Sequence, residues 1–154
     1  MRKVCVVSTG MTKWGKRKAT WRDLISEAGK VTFDNAPNLS KDDIEGFICS
    51  SAVSDRTSNT IHAAPIAAET LGIKPTKIIS RIEHLCGSGS AAIILASSAI
   101  ATGLLDVCMI GGVEKLNVPN PKEAIHDLAI CTGDYDWESF HGVTPPAFFA
   151  MVAQ

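Results

Sequence analysis

The sequence predicts an α/β fold: a βαβαβαβ chain that builds a mostly parallel sheet around a buried central helix. Three observations predict it. Short continuous apolar runs recur near residues 4–8, 45–51, 77–82 and 106–110, the pattern of strands covered on both faces. Stripes of apolar residues at helical spacing fill the gaps between those runs, and such alternation implies crossover units and parallel pairing. With 154 residues, 45% hydrophobic and 20% charged, the chain is long and apolar enough to bury a core.

The first run, Val4 to Ser8, ends at Thr9-Gly10 and reads as a strand. A polar, basic loop follows, Met11 to Lys18, with Trp14 expected to tuck against the core. Thr20 is placed to cap a helix from Trp21 to Asn35, whose stripe is Trp21, Leu24, Ile25, Ala28, Val31 and Thr32. Ser40-Lys41-Asp42-Asp43 is a capping box before the second strand, Glu45 to Ser51. Ser54 to Asn59 reads as a polar loop. A helix then spans Thr60 to Leu71, ended by Gly72, with Pro65 moving its expected start toward Ala63. Lys77 to Ile82 is the third strand and Gly87 to Thr102 the third helix. That helix is apolar on nearly every side, so burial all round is expected. Asp106 to Ile110 is the fourth strand, closed by Gly111-Gly112-Val113-Glu114.

The texture changes after Lys115. Val118-Pro119-Asn120-Pro121 is linker-like, and Gly133 to Glu138 is acidic and aromatic. Thr144 and Pro145 open a last apolar helix, Pro146 to Gln154, which lacks a C-cap and looks cut in mid-element. Two domains are therefore expected, residues 1–116 as an α/β domain and 117–154 as the start of another.

Composition narrows the function classes. A formal net charge of -1 argues against a partner held by nucleic-acid phosphates. No apolar run reaches the roughly 18 residues that span a bilayer. Met1-Arg2-Lys3-Val4 shows no leader cleavage pattern, so a cytoplasmic location is expected. The five cysteines are odd in number and have no CxxC pair, which argues against a disulfide framework or a zinc site. Cys5, Cys49 and Cys108 lie inside apolar runs and read as small buried hydrophobes.

Cys86 is different. It stands between a strand and a helix, where the positive end of the helix macrodipole favours the nucleophilic thiolate. Amides of residues 86 to 88 lack helical partners and can face a developing oxyanion. The small residues Gly87, Ser88 and Gly89 are thus the expected oxyanion and acyl pocket around Cys86. Two other readings stay open, the first being a buried structural cysteine in a Gly/Ser turn. Gly87-Ser88-Gly89-Ser90-Ala91-Ala92 fits the G-x-G-x-x-A dinucleotide fingerprint, with Glu114 as a ribose-binding acid. The motif falls at the third strand rather than the first, and the acid comes later than the pattern asks.

His84-Leu85-Cys86-Gly87-Ser88-Gly89-Ser90-Ala91-Ala92 resembles the nucleophile motif of thiolases. Gly111-Gly112-Val113-Glu114 resembles the family's Gly-Gly-x-Glu segment, Val7 to Thr12 its opening strand and turn, and Gly142 to Pro146 the entry to a helix of its loop domain. Glu83 departs from the asparagine common in bacterial biosynthetic and degradative members and suits the archaeal and sterol-carrier-type branch. The resemblance implies the N-terminal half of a thiolase-like fold plus the start of a loop domain. It implies acetyl-CoA C-acetyltransferase activity, in which Cys86 takes an acetyl group and a second acetyl-CoA attacks it to give acetoacetyl-CoA, or the reverse thiolysis. No metal or redox cofactor is implied, since coenzyme A arrives as part of the substrate. It further implies a homo-oligomer and, in the archaeal branch, association with a hydroxymethylglutaryl-CoA synthase. The family's activating histidine and second cysteine belong to the other half of its duplicated fold. Cys131, His126 and His141 do not match those motifs, and His84 reads as a wall residue. The 154 residues alone are accordingly expected to be poorly active. A non-catalytic split subunit needing a partner chain is the remaining alternative.

Overall fold

The computed structural model describes residues 2–153, with the backbone alone at Thr132. Its centre is a parallel sheet of three strands, ordered β2-β1-β3. Strand β1 is Gly46–Ser50, β2 is Ile78–Ile82 and β3 is Cys108–Gly112. Gly46 lies opposite Ile78 on one side and Cys108 on the other, and Ser50 opposite Ile82 and Gly112. All five residues of β1 are buried, as a central strand under two helical layers requires.

Helices α1 (Trp21–Asp34) and α3 (Ala63–Leu71) cover one face. Trp21, Ile25, Ala67 and Leu71 pack there on Phe47 and Cys49. Phe47 and Ile25 are almost fully buried, each contributing about 1.5–3 kcal/mol by its removal from water. Helix α4 (Ser88–Ala101) covers the opposite face through Ala92 and Ala96 on Ile48. The expected caps are present. Thr20 and Asp23 form a reciprocal capping box on α1, and Ser40 and Asp43 form another on the 3-10 turn Lys41–Asp43. Gly72 closes α3 with a φ of 70°, a left-handed cap that glycine adopts without strain.

Several expectations are corrected. Residues 4–8 form no strand, and Val6 is 83% exposed. The reason is where the segment's hydrogen bonds go. Arg2 donates its amide to Ala101 O, and the Ser8 hydroxyl donates to Thr32 O, so the segment lies on helix ends rather than along a strand. Cys5 is exposed as a result, and Cys108 is only half-buried. Trp14 is 88% exposed, because its loop is anchored by the Arg17–Glu27 ion pair instead. Helix α4 buries only Ser88, Ala92 and Ala96, while Ile94 on its other side is 65% exposed. An all-round apolar pattern shows that a helix tolerates burial everywhere, and the sheet supplies one surface to bury against. Strand β3 begins and ends two residues later than expected, running through both glycines.

Residues 54–59 hold a short helix, α2 (Ser54–Thr57), where a loop was expected. Beyond residue 117, a helix that was not expected, α5 (Pro121–Thr132), begins at the last of the linker-like residues. Asn120 caps it by accepting the Lys122 amide at 3.2 Å, with Pro121 at the first position. A π-helical turn, Tyr135–Ser139, leads to α6 (Pro145–Val152), whose Thr144 makes no side-chain capping bond. Among the described residues no helix is long and apolar enough to cross a membrane.

Candidate active site

All three parallel strands end on the same side of the sheet, at Ser50, Ile82 and Gly112. Beyond those ends lies a cleft of about 890 Å³. In open α/β sheets this is where ligands bind. Its walls come from three connections: residues 50–53 after β1, residues 83–89 after β2, and residues 112–114 with Leu116 after β3. Leu128 and Cys131 of α5 and Pro145 and Phe149 of α6 complete it.

The connection after β2 carries Cys86. Leu85–Gly87 form a single 3-10 turn that runs into α4, and Cys86 is exposed on the cleft. Leu85 takes a φ of 45°, which turns the chain sharply between strand and helix. Ser88, 5% exposed, locks that turn. Its hydroxyl donates to Leu85 O at 2.7 Å and accepts the His84 amide at 2.8 Å. The Glu83 carboxylate accepts the Leu85 amide at 2.6 Å.

This geometry changes the roles expected of the small residues. The Gly87 amide donates to His84 O at 2.8 Å, and the Ser88 amide donates to Leu85 O. Both are therefore spent inside the turn, and the Cys86 amide alone of the three has no acceptor among the described residues. A Cβ on Gly87 would come within 2.9 Å of the His84 ring, so the glycine makes room for His84 rather than for substrate. Gly89 faces open space on the cleft side.

Among the described residues no histidine side chain hydrogen-bonds to Cys86. The His84 ring packs over Gly87. His126 is exposed on α5, and His141 stacks edge-on against Phe140 with ring centroids 5.4 Å apart. Cys131, by contrast, lines the same cleft as Cys86. Burial pushes its thiol pKa up, and the charges of Asp55, Glu83 and Asp127 push the same way. Burial also pushes the Cys49 and Cys108 thiols up to about 11, so these two stay protonated at neutral pH.

The connection after β1 is held by groups far away in sequence. The Glu114 carboxylate accepts the amides of Ala52 at 2.8 Å and Val53 at 3.0 Å, with the Ser51 and Thr57 hydroxyls beside them. From β2, the Arg81 guanidinium donates to Ser51 O, Ala52 O and Asp55 Oδ1 at 3.1–3.3 Å. One peptide segment is thus gripped through its N–H groups by a carboxylate and through its carbonyls by a guanidinium. Sequence reading missed both grips. The dinucleotide alternative put Glu114 on a ribose, yet that carboxylate is already committed to the protein's own backbone.

Comparison with known proteins now bears on this site. Residues 4–136 match the thiolase N-terminal domain. The chain belongs to the thiolase family. Along its whole length it is 34% identical to the acetyl-CoA acetyltransferase of Methanocaldococcus jannaschii and covers 38% of that protein. It is 30% identical to the acetyl-CoA acetyltransferase of Methanothermobacter thermautotrophicus, again over its full length and 39% of the relative. Over 99% of the chain it is 28% identical to the benzoylsuccinyl-CoA thiolase subunit BbsB of Thauera aromatica, covering 37% of it. The chain therefore spans about two fifths of the length of these relatives. Two of the three are archaeal acetyltransferases, the branch that Glu83 suggested.

Proposed function

We propose that the protein transfers acyl groups between coenzyme A thioesters, as an acetyl-CoA C-acetyltransferase. The observation that carries this reading is Cys86, exposed at the start of α4 in the cleft beyond the strand ends, in a chain of the thiolase family. In the proposed reaction the Cys86 sulfur attacks the thioester carbonyl of acetyl-CoA. A bond forms from Sγ to the acyl carbon, the bond to the coenzyme A sulfur breaks, and coenzyme A leaves as its thiol. The Cys86 amide is the donor available to the oxyanion. A second acetyl-CoA loses an α-proton and attacks the acyl-Cys86 carbonyl, releasing acetoacetyl-CoA and restoring the thiol. Thiolysis is the reverse. Coenzyme A serves as substrate carrier, and the scheme calls for no separate cofactor.

A general base has to reach Cys86, and among the described residues no histidine does. We therefore expect the 154 residues alone to turn over poorly. Residues 1–116 are proposed as the thiolase-like α/β domain and 117–154 as the beginning of a loop domain. A cytoplasmic homo-oligomer working beside a hydroxymethylglutaryl-CoA synthase is the assembly that this reading carries with it.

Mass spectrometry of the protein incubated with acetyl-CoA tests the proposal. A mass increase of one acetyl group, mapped to Cys86 and absent in Cys86→Ala, is the expected result. No acylation, or acylation that survives Cys86→Ala, would overturn it.

A further inference from the structure

We infer that Glu83 is a positioning residue for Cys86, acting through the Leu85 amide; its catalytic consequence rests on the acyl-transfer reading above. Leu85 and Asn59 are the two non-glycine residues with positive φ among those described. A left-handed conformation is unfavourable for leucine, because Cβ crowds the following carbonyl, and it persists only where neighbours hold it. Two groups hold Leu85. Its carbonyl accepts from the buried Ser88 hydroxyl and from the Ser88 amide. Its N–H donates to Glu83 Oε1 at 2.6 Å, and Glu83 is the acceptor that amide has.

The two holds differ in kind. Ser88 belongs to α4 and is fixed by the helix that carries it. Glu83 is exposed, lines the cleft, and lies on the strand side of the bend. Removing its carboxylate frees the Leu85 peptide plane to rotate toward negative φ. That rotation swings the next residue, which is Cys86. The strand and the helix both stay in place, so what changes is the aim of the sulfur into the cleft. Glu83 needs only an oxygen acceptor for this task, so the amide of glutamine serves in its place.

The test uses the intact enzyme with Glu83→Ala, Glu83→Gln and the double variant Glu83→Ala/Leu85→Gly. Two readouts are taken: kcat and KM for acetyl-CoA, and the rate of iodoacetamide alkylation mapped to Cys86. Glu83→Ala is expected to lower kcat roughly 100-fold, the loss that a nucleophile displaced by about 1 Å produces. Its KM should stay within about twofold, since the interaction lost is one that aims the nucleophile. Cys86 alkylation should slow in parallel. Glu83→Gln should recover most of both rates. The double variant should regain alkylation, because glycine takes a positive φ without help. The inference is overturned if Glu83→Ala leaves both readouts at wild type, if Glu83→Gln is as damaged as Glu83→Ala, if KM rises while kcat holds, or if the double variant shows no recovery. Alkylation does not depend on catalysis. A slowed Cys86 in Glu83→Ala, in a wild type that is never acetylated, would keep the positioning role and discard acyl transfer.

Discussion

The connections after β1 and β2 both wall the cleft, yet they are built in opposite ways. Residues 51–57 are held by Glu114 and Arg81, groups that reach them from the connection after β3 and from β2. Residues 83–88 are held by Glu83 and Ser88, which lie inside the segment itself. A wall fixed across the sheet resists local change, because its anchors lie outside the segment they hold. A turn fixed by its own side chains can be altered without disturbing the sheet. Cys86 sits on the second kind of support.

The comparison predicts that damage to the first connection appears as lost stability and damage to the second as lost rate. Glu114→Ala should show the largest stability effect. It strips the acceptor from two backbone amides at once, and about 3 kcal/mol should be lost in urea denaturation, since bonds to a charged group are worth about 1.5–3 kcal/mol each. Arg81→Ala should cost about 2 kcal/mol by the same measurement, and Arg81→Lys should recover only part of it, because an ammonium cannot reach both carbonyls and Asp55 as a planar fork does. Ser88→Ala should cost about 1 kcal/mol of stability, yet slow Cys86 alkylation as Glu83→Ala does. A Ser88→Ala protein destabilised as much as Glu114→Ala, with Cys86 unchanged, would erase the contrast.

Cysteine titration sharpens it further. Iodoacetamide at pH 8 should label exposed Cys86 and Cys5 and spare Cys49, whose thiol is buried in β1 and titrates near 11. The folded-state value lies above the ordinary thiol value of 9.0, so the unfolded chain ionises first as pH rises. Stability should therefore be intact below pH 9 and decline between pH 9 and about 11. Cys49→Ala should weaken that alkaline decline, leaving the part due to Cys108.

What sequence reading captured follows the same division. The Thr20 cap, the Ser40–Asp43 box, the Gly72 cap and the bend at Cys86 were legible because donor and acceptor lie within about four residues. Glu114 and the Ala52 amide are 62 residues apart, and nothing in either neighbourhood names the other. Cys131 shares the cleft with Cys86 only because α5 folds back over the strand ends, which the local sequence does not announce. Residues 4–8 show the converse limit. They are as apolar as β1, but apolar sequence supplies no hydrogen-bonding neighbour, and their bonds run to helix ends instead. The amides of Gly87 and Ser88 were assigned to an oxyanion because a helix start leaves amides free, whereas the 3-10 turn uses them first.

The grip on residues 51–57 also governs how a ligand is received. Glu114 and Arg81 order this segment as the chain folds, so a ligand entering the cleft meets a surface with little conformational freedom left to lose. Association should then proceed at the rate of encounter, with no slow loop closure to wait for. Affinity in this half of the cleft should follow shape and polarity, because the entropy of arranging the wall has been spent before the ligand arrives.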